Sequence, residues 1–197
     1  VGQQFENACK SCPEGKYSDE KGQQIQSSCQ PCEAGKWSNE IGQKDCKLCG
    51  AGKWSDQVGQ QNETTCKSCL MGKWSNKTGQ TAESLCKPCS RGRWSNQTGM
   101  KECNVCLAGK WSNETGADSD DFCELCDDGR FSKPGEVECK PCGVGRYLDE
   151  KGKSSCKLCS SGKWSNLTGQ VYKHSCKLCQ EGQWSNQTGQ NVCKSCP

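Results

Sequence analysis

Residues 32–49 read C-E-A-G-K-W-S-N-E-I-G-Q-K-D-C-K-L-C, and this stretch holds the repeating frame of the chain. Three residues past Cys32 stands Gly35, followed by a basic residue, an aromatic ring and a serine; ten residues past Cys32 stands a second glycine, Gly42. The stretch closes on Cys46-x-x-Cys49, from which the frame starts again. Moved along the chain, it fits ten times. All 22 cysteines fall into 11 Cys-x-x-Cys pairs, whose first members are 16 to 20 residues apart. The first glycine occurs in all ten copies, and so does an aromatic two residues later: Tyr17, Trp37, Trp54, Trp74, Trp94, Trp111, Phe131, Tyr147, Trp164 and Trp184. Serine follows the ring in nine copies, Leu148 being the exception. A fixed period near 20 residues marks a repeat architecture. The copies differ in length mostly after the second glycine, where three extra residues are accepted, so that segment is read as a surface loop.

Composition agrees. Beyond the cysteines only about 39 of the 197 residues are apolar, and the mean hydropathy is −0.93. That is too little for one large core, and no apolar run is long enough to cross a membrane as a helix. Ten of the thirteen aromatics occupy the one repeat position. Each ring is read as buried against a disulfide and the neighbouring backbone, in preference to an exposed stacking platform. The expected fold is therefore a set of small disulfide-rich repeats, mostly irregular with short β segments, forming an elongated rod-like array without helix or a large core. The boundaries are a partial repeat at 1–12, six repeats over 12–126, an irregular one at 126–139, three over 142–193, and the opening of a further one at 193–197. The irregular unit has Phe131 for Trp, Lys133-Pro134, and its second glycine shifted to Gly135, which suggests a bend there.

Three readings of the cysteines compete. Paired Cys-x-x-Cys motifs match zinc-ribbon spacing. Eleven pairs taken two at a time leave one over, however, and the units do not alternate in type. Thioredoxin-like redox chemistry needs one activated pair on a βαβ scaffold, which is absent. Structural disulfides in an oxidising compartment are favoured. Asn-x-Thr sequons at Asn62, Asn76, Asn96, Asn113, Asn166 and Asn186 support this, using six of the ten asparagines. A bond within Cys-x-x-Cys constrains almost nothing. A bond from the second cysteine of one pair to the first of the next encloses each glycine–aromatic unit. It gives Cys12–Cys29, Cys32–Cys46, Cys49–Cys66, Cys69–Cys86, Cys89–Cys103, Cys106–Cys123, Cys126–Cys139, Cys142–Cys156, Cys159–Cys176 and Cys179–Cys193. The alternative joins whole doublets, such as Cys9 with Cys29 and Cys12 with Cys32, and strands one pair of eleven.

The units C-P-E-G-K-Y-S (12–18) and C-E-A-G-K-W-S (32–38) resemble the ephrin-receptor-like cysteine-rich repeat, whose theme is C-x-x-C-P-x-G-T-Y/F-S. The stretch from Cys12 to Cys29 is also similar to the one-disulfide module of tumour-necrosis-factor receptor ectodomains. There the cysteine before Pro-x-Gly-x-aromatic bonds the next one along, which implies the same pairing. Proline follows the second cysteine only at Pro13 and Pro197, and Trp stands where the family has Tyr or Phe. The resemblance implies an extracellular location more firmly than an activity.

No enzyme chemistry is expected, and no cofactor or metal. His174, the one histidine, sits in a variable loop, and no Ser/His/Asp set or phosphate-cradling loop is present. The run Asp118-Ser119-Asp120-Asp121 lacks the spacing of a calcium loop and is read as a solvated insertion. Basic and acidic residues nearly balance at 26 and 23. Lysines nevertheless recur beside the first cysteine and before the ring. A rod would carry them as stripes that could meet an acidic polysaccharide, but solubility with local pairing to the acidic residues is the preferred reading. No nucleic acid is expected as a partner. Under the preferred pairing Cys9 and Cys196 bond outside the sequence, as in a window from a longer array. The reading is thus a structural component of an extracellular glycoprotein filament, appendage or stalk. It would carry N-linked glycans, self-associate, have no membrane insertion of its own and pass through the secretory pathway. A ligand-binding receptor ectodomain or adhesin is the alternative, with a zinc-binding repeat protein behind it.

Overall fold

The computed structural model describes residues 11–19 and 28–197; Cys9 lies outside them. Their regular structure is a series of two-residue strands paired antiparallel into ten ribbons, one per repeat. No α-helix occurs among the described residues. The small disulfide-rich repeat is the fold class.

The second repeat shows how the frame folds. Its turn runs from Glu33 to Lys36: the Glu33 carbonyl accepts from the Lys36 N–H at 3.0 Å, and Gly35 at the third position has φ 77°. A turn of this kind demands positive φ there, which glycine meets without strain. The turn launches Lys36–Trp37, which pairs with Lys47–Leu48 so that Trp37 faces Lys47 across the ribbon. Such short ribbons are not stable alone. The Cys32–Cys46 bond closes the loop at a Cα–Cα distance of 5.7 Å, and the Cys49 N–H seals it on the Gly35 carbonyl. In the chain-entropy view, a loop of this length confers roughly 3 kcal/mol on its own repeat. In the four longer copies whose loops are fully described, the loop forms one 3₁₀ turn, at Glu63–Thr65, Glu83–Leu85, Asp120–Phe122 and Lys173–Ser175. None of these turns contains a buried residue, in agreement with a surface loop.

The chain divides into two compact units, Val1–Cys89 with Ser95–Cys103, and Ser90–Trp94 with Asn104–Pro197. Within the first, neighbouring repeats are tied by backbone hydrogen bonds. The Gly35 N–H donates to the Ser55 carbonyl (2.8 Å), the Ser38 N–H to Gln60 (2.9 Å), and the Gly59 N–H back to Cys32 (2.7 Å). The second unit repeats the scheme: Gly145 to Ser165, Leu148 to Gln170, and Gly169 to Cys142.

Packing also reaches two repeats along. A Cβ on Gly35 would lie 2.5 Å from the Gly79 carbonyl oxygen, and one on Gly52 would lie 2.0 Å from that of Gly99. In the second unit Gly109 meets Gly152 at 1.9 Å and Gly145 meets Gly189 at 2.1 Å. The two glycines of the frame are therefore partners: the first of one repeat sits on the second of the repeat after next. In the unit at 126–139, Gly135 fills the second-glycine role despite its shifted position. It has φ 75°, donates to the Cys106 carbonyl, and packs its own carbonyl against Gly92.

The sealed interior is not aromatic. The buried side chains are mostly cysteines, seven of the serines that follow a ring (Ser38, Ser55, Ser75, Ser95, Ser112, Ser132 and Ser165), and Leu148, which replaces that serine once. Most rings are half-buried; among them Tyr147 is buried, and Trp184 is 38% exposed. This corrects the expectation of a buried ring in each unit. At Trp37, Trp54, Trp164 and Trp184 a cross-strand lysine lies over the ring in place of protein core.

Candidate functional site

The recurrent site of this chain is the junction of turn, disulfide and ring that each repeat presents. All ten second-to-first cysteine pairs, from Cys12–Cys29 to Cys179–Cys193, are bonded, with Cα–Cα distances of 5.5 to 5.8 Å. The second cysteines Cys32, Cys49, Cys69, Cys89, Cys106, Cys126, Cys142 and Cys159 are essentially inaccessible. Among the described residues no cluster of His, Cys, Asp or Glu is arranged to hold a metal ion. Cys196 is exposed and without a disulfide partner among the described residues. Its N–H still donates to the Gly182 carbonyl, as its counterparts do in every repeat.

Serine was a position whose role the residue type hid. Ser38 spends both backbone groups on neighbours: its N–H goes to Gln60, and its carbonyl accepts from Gly15. The residue therefore lies inside the stack, where a small side chain fits. The hydroxyl is satisfied two residues on, by the Glu40 carbonyl from Ser38 and by the Gln57 N–H at Ser55. A buried hydroxyl needs such a partner.

The phased cations are used locally in large part. Lysines after the first cysteine lie over rings: Lys47 over Trp37 at 5.2 Å, Lys67 over Trp54 at 4.6 Å, Lys177 over Trp164 at 5.8 Å and Lys194 over Trp184 at 5.5 Å. Lysines before the ring reach acids in the loop: Lys53 to Glu63 (3.0 Å), Lys73 to Glu83 (2.9 Å) and Lys110 to Asp120 (3.2 Å). Lys157 bridges Asp149 and Glu150, both at 2.6 Å, while Lys153 also holds Glu150 at 2.9 Å. Hydrogen bonding from Lys157, then from Lys153, holds the Glu150 carboxyl down at about 2. The same lysine lowers Asp149, and Asp149 and Glu150 in turn raise Lys157. Asp127 is held low by Lys151 and Asp56 by Lys67. These pairs are exposed, so each adds little to stability.

All six sequon asparagines (Asn62, Asn76, Asn96, Asn113, Asn166 and Asn186) are exposed, and so is the threonine two residues after each. The acceptor amide and the recognised hydroxyl are thus open to modification at every one. His174 stacks on Tyr172, with ring centroids 5.0 Å apart, in an exposed 3₁₀ turn. In the acidic run, Ser119 caps the Asp121 N–H and Asp120 is paired with Lys110.

Residues 23–66 and 129–173 match a protein-family model described as tyrosine-protein kinase ephrin type A/B receptor-like. No curated protein matches the chain. The two segments take in copies from both compact units, and the copies outside them share the same turn, ribbon and disulfide. Residues 23–66 and 129–173 are thus similar to the ephrin-receptor-like cysteine-rich repeat, and they lie within an array of ten disulfide-bonded repeats built on one frame.

Proposed function

We propose that this chain is a structural component of an extracellular glycoprotein filament, appendage or stalk, built as a disulfide-laddered, N-glycosylated repeat array. Ten disulfides and the receptor-like repeat point to an extracellular or secreted protein. The observation that carries the structural reading is where the chain invests its contacts. Each repeat gives its turn glycine, its serine backbone and its cysteine carbonyl to neighbouring repeats, while the sequon side chains stay exposed. A chain organised this way derives its stiffness from backbone contact and covalent loops, with carbohydrate as its coat. Its activity would be mechanical, with no catalysis and no bound cofactor. Electron microscopy of the glycosylated chain secreted from eukaryotic cells tests the reading. Self-associated fibres with occupied sequons are expected; dispersed monomers at every concentration would overturn it. The family description names a receptor, which supports a ligand-binding ectodomain as the second reading. A single high-affinity protein ligand without self-association would favour it.

A further inference from the structure

The same surface groove recurs in two successive repeat junctions of the second compact unit, with its charge reversed. The first is walled by Trp111 and lined by Glu124, Asp127, Arg130 and Glu138. The next, about 390 Å³, is lined by Phe131, Lys133, Lys140, Gly143, Arg146 and Ser155. These are equivalent frame positions. Lys140 stands where Glu124 stood, directly after the first cysteine; Gly143 replaces Asp127, and Ser155 replaces Glu138. Three carboxylates are thus exchanged for one cation and two small residues, while the arginine is kept. The lining of the second groove holds three cations and no acid.

Three further observations single this groove out. Gly143 has no positive φ, and a Cβ on it would meet nothing within 4 Å, so neither conformation nor packing demands glycine there. Its missing side chain keeps the groove open. Lysines at several other junctions are ion-paired, but of the cations here only Lys140 has an acidic partner among the described residues, Glu136 at 2.7 Å. Finally, residues 114–165 contain no asparagine, so no N-linked glycan is attached within this stretch of the array. We infer that the groove between the seventh and eighth repeats binds an acidic saccharide. The Phe131 ring receives the apolar face of a sugar, while Arg146 and Lys133 pair with its sulfate or carboxylate. The volume suits one or two sugar residues of a longer chain.

Calorimetric titration of the full glycosylated chain with a heparin-derived hexasaccharide and with an oligoguluronate hexamer tests this and separates sulfate from carboxylate recognition. One site per chain is expected for at least one of the two. Lys133→Glu with Arg146→Glu, or Arg146→Gln alone, should weaken binding by about tenfold or more, the loss expected of a charge-assisted contact. Lys44→Glu with Lys77→Glu, on exposed lysines elsewhere, should leave it unchanged. Converting the preceding groove with Glu124→Lys, Asp127→Gly and Glu138→Ser should raise the stoichiometry from one to two. A thiol titration equal to that of the parent shows that each variant keeps its disulfides. No binding of either saccharide, an equal loss in the Lys44/Lys77 control, or equally tight binding of a single-stranded oligonucleotide would overturn the proposal.

Discussion

Replacing Gly109 by alanine isolates the contact between a repeat and the one after next. At Gly109 φ is 82°, and a Cβ would lie 1.9 Å from the Gly152 carbonyl oxygen and 2.3 Å from its carbon. At Gly182 φ is 75°, but a Cβ would meet nothing within 4 Å. Both alanines suffer the left-handed backbone, a cost of about 1–2 kcal/mol. Only Gly109→Ala also forces backbone away from backbone, which no rotamer change relieves. Overpacking of this kind adds about 1–3 kcal/mol. The difference between the two variants should therefore be about 1–3 kcal/mol, or roughly 5- to 150-fold in local opening. An array opens repeat by repeat, so native-state hydrogen exchange is the right assay and a single melting temperature is not. The reporters are the Cys126 N–H, which donates to the Gly109 carbonyl, and the Cys196 N–H, which donates to that of Gly182. Equal acceleration at the two amides would refute the reasoning, because it would leave the backbone penalty as the whole effect.

Leu148→Ala empties the one leucine-sized place in the serine position, which is 1% exposed, and should cost about 2–5 kcal/mol locally. Faster exchange of the Gly129 N–H, which donates to the Leu148 carbonyl, checks it. For pH dependence the sign is set by Glu150. Its folded value of about 2 lies below the ordinary 4.5, so its small contribution is full above pH 4.5 and is lost as pH falls through 2. Carboxyl NMR should show a midpoint near 2 for Glu150 and a higher one in Lys157→Gln. Incubation with excess EDTA should leave the circular dichroism and the thiol count unchanged, whereas a zinc array would lose structure and expose thiols.

The fold class was legible because it rests on covalent arithmetic: cysteine pairs at a fixed period leave few architectures open. The turn was legible for the same reason, since a glycine three residues past each second cysteine has one conformational use. What stood hidden was the pairing of the two glycines. Gly35 and Gly79 are 44 residues apart, and nothing in the spacing of either says that the carbonyl of one fills the missing Cβ of the other. The buried serine was hidden by residue type. Its near-constancy across nine copies was the available signal, and Leu148 was a second, because leucine fits in serine's place only where the environment is interior. The rings misled in the opposite direction: a repeat with one aromatic suggests a buried ring, yet Lys47 and its counterparts cover that face from outside. The recurring groove could be read only after the frame positions lining it were seen together. Its charge then follows directly from the sequence at those positions.

Non-reducing peptide mapping of the secreted chain tests the ladder most directly. The account expects ten cross-links of the form Cys12–Cys29, Cys32–Cys46 and onward to Cys179–Cys193, with Cys196 outside that series. Doublet cross-links such as Cys9–Cys29 with Cys12–Cys32, or free thiols throughout with bound zinc, would contradict it.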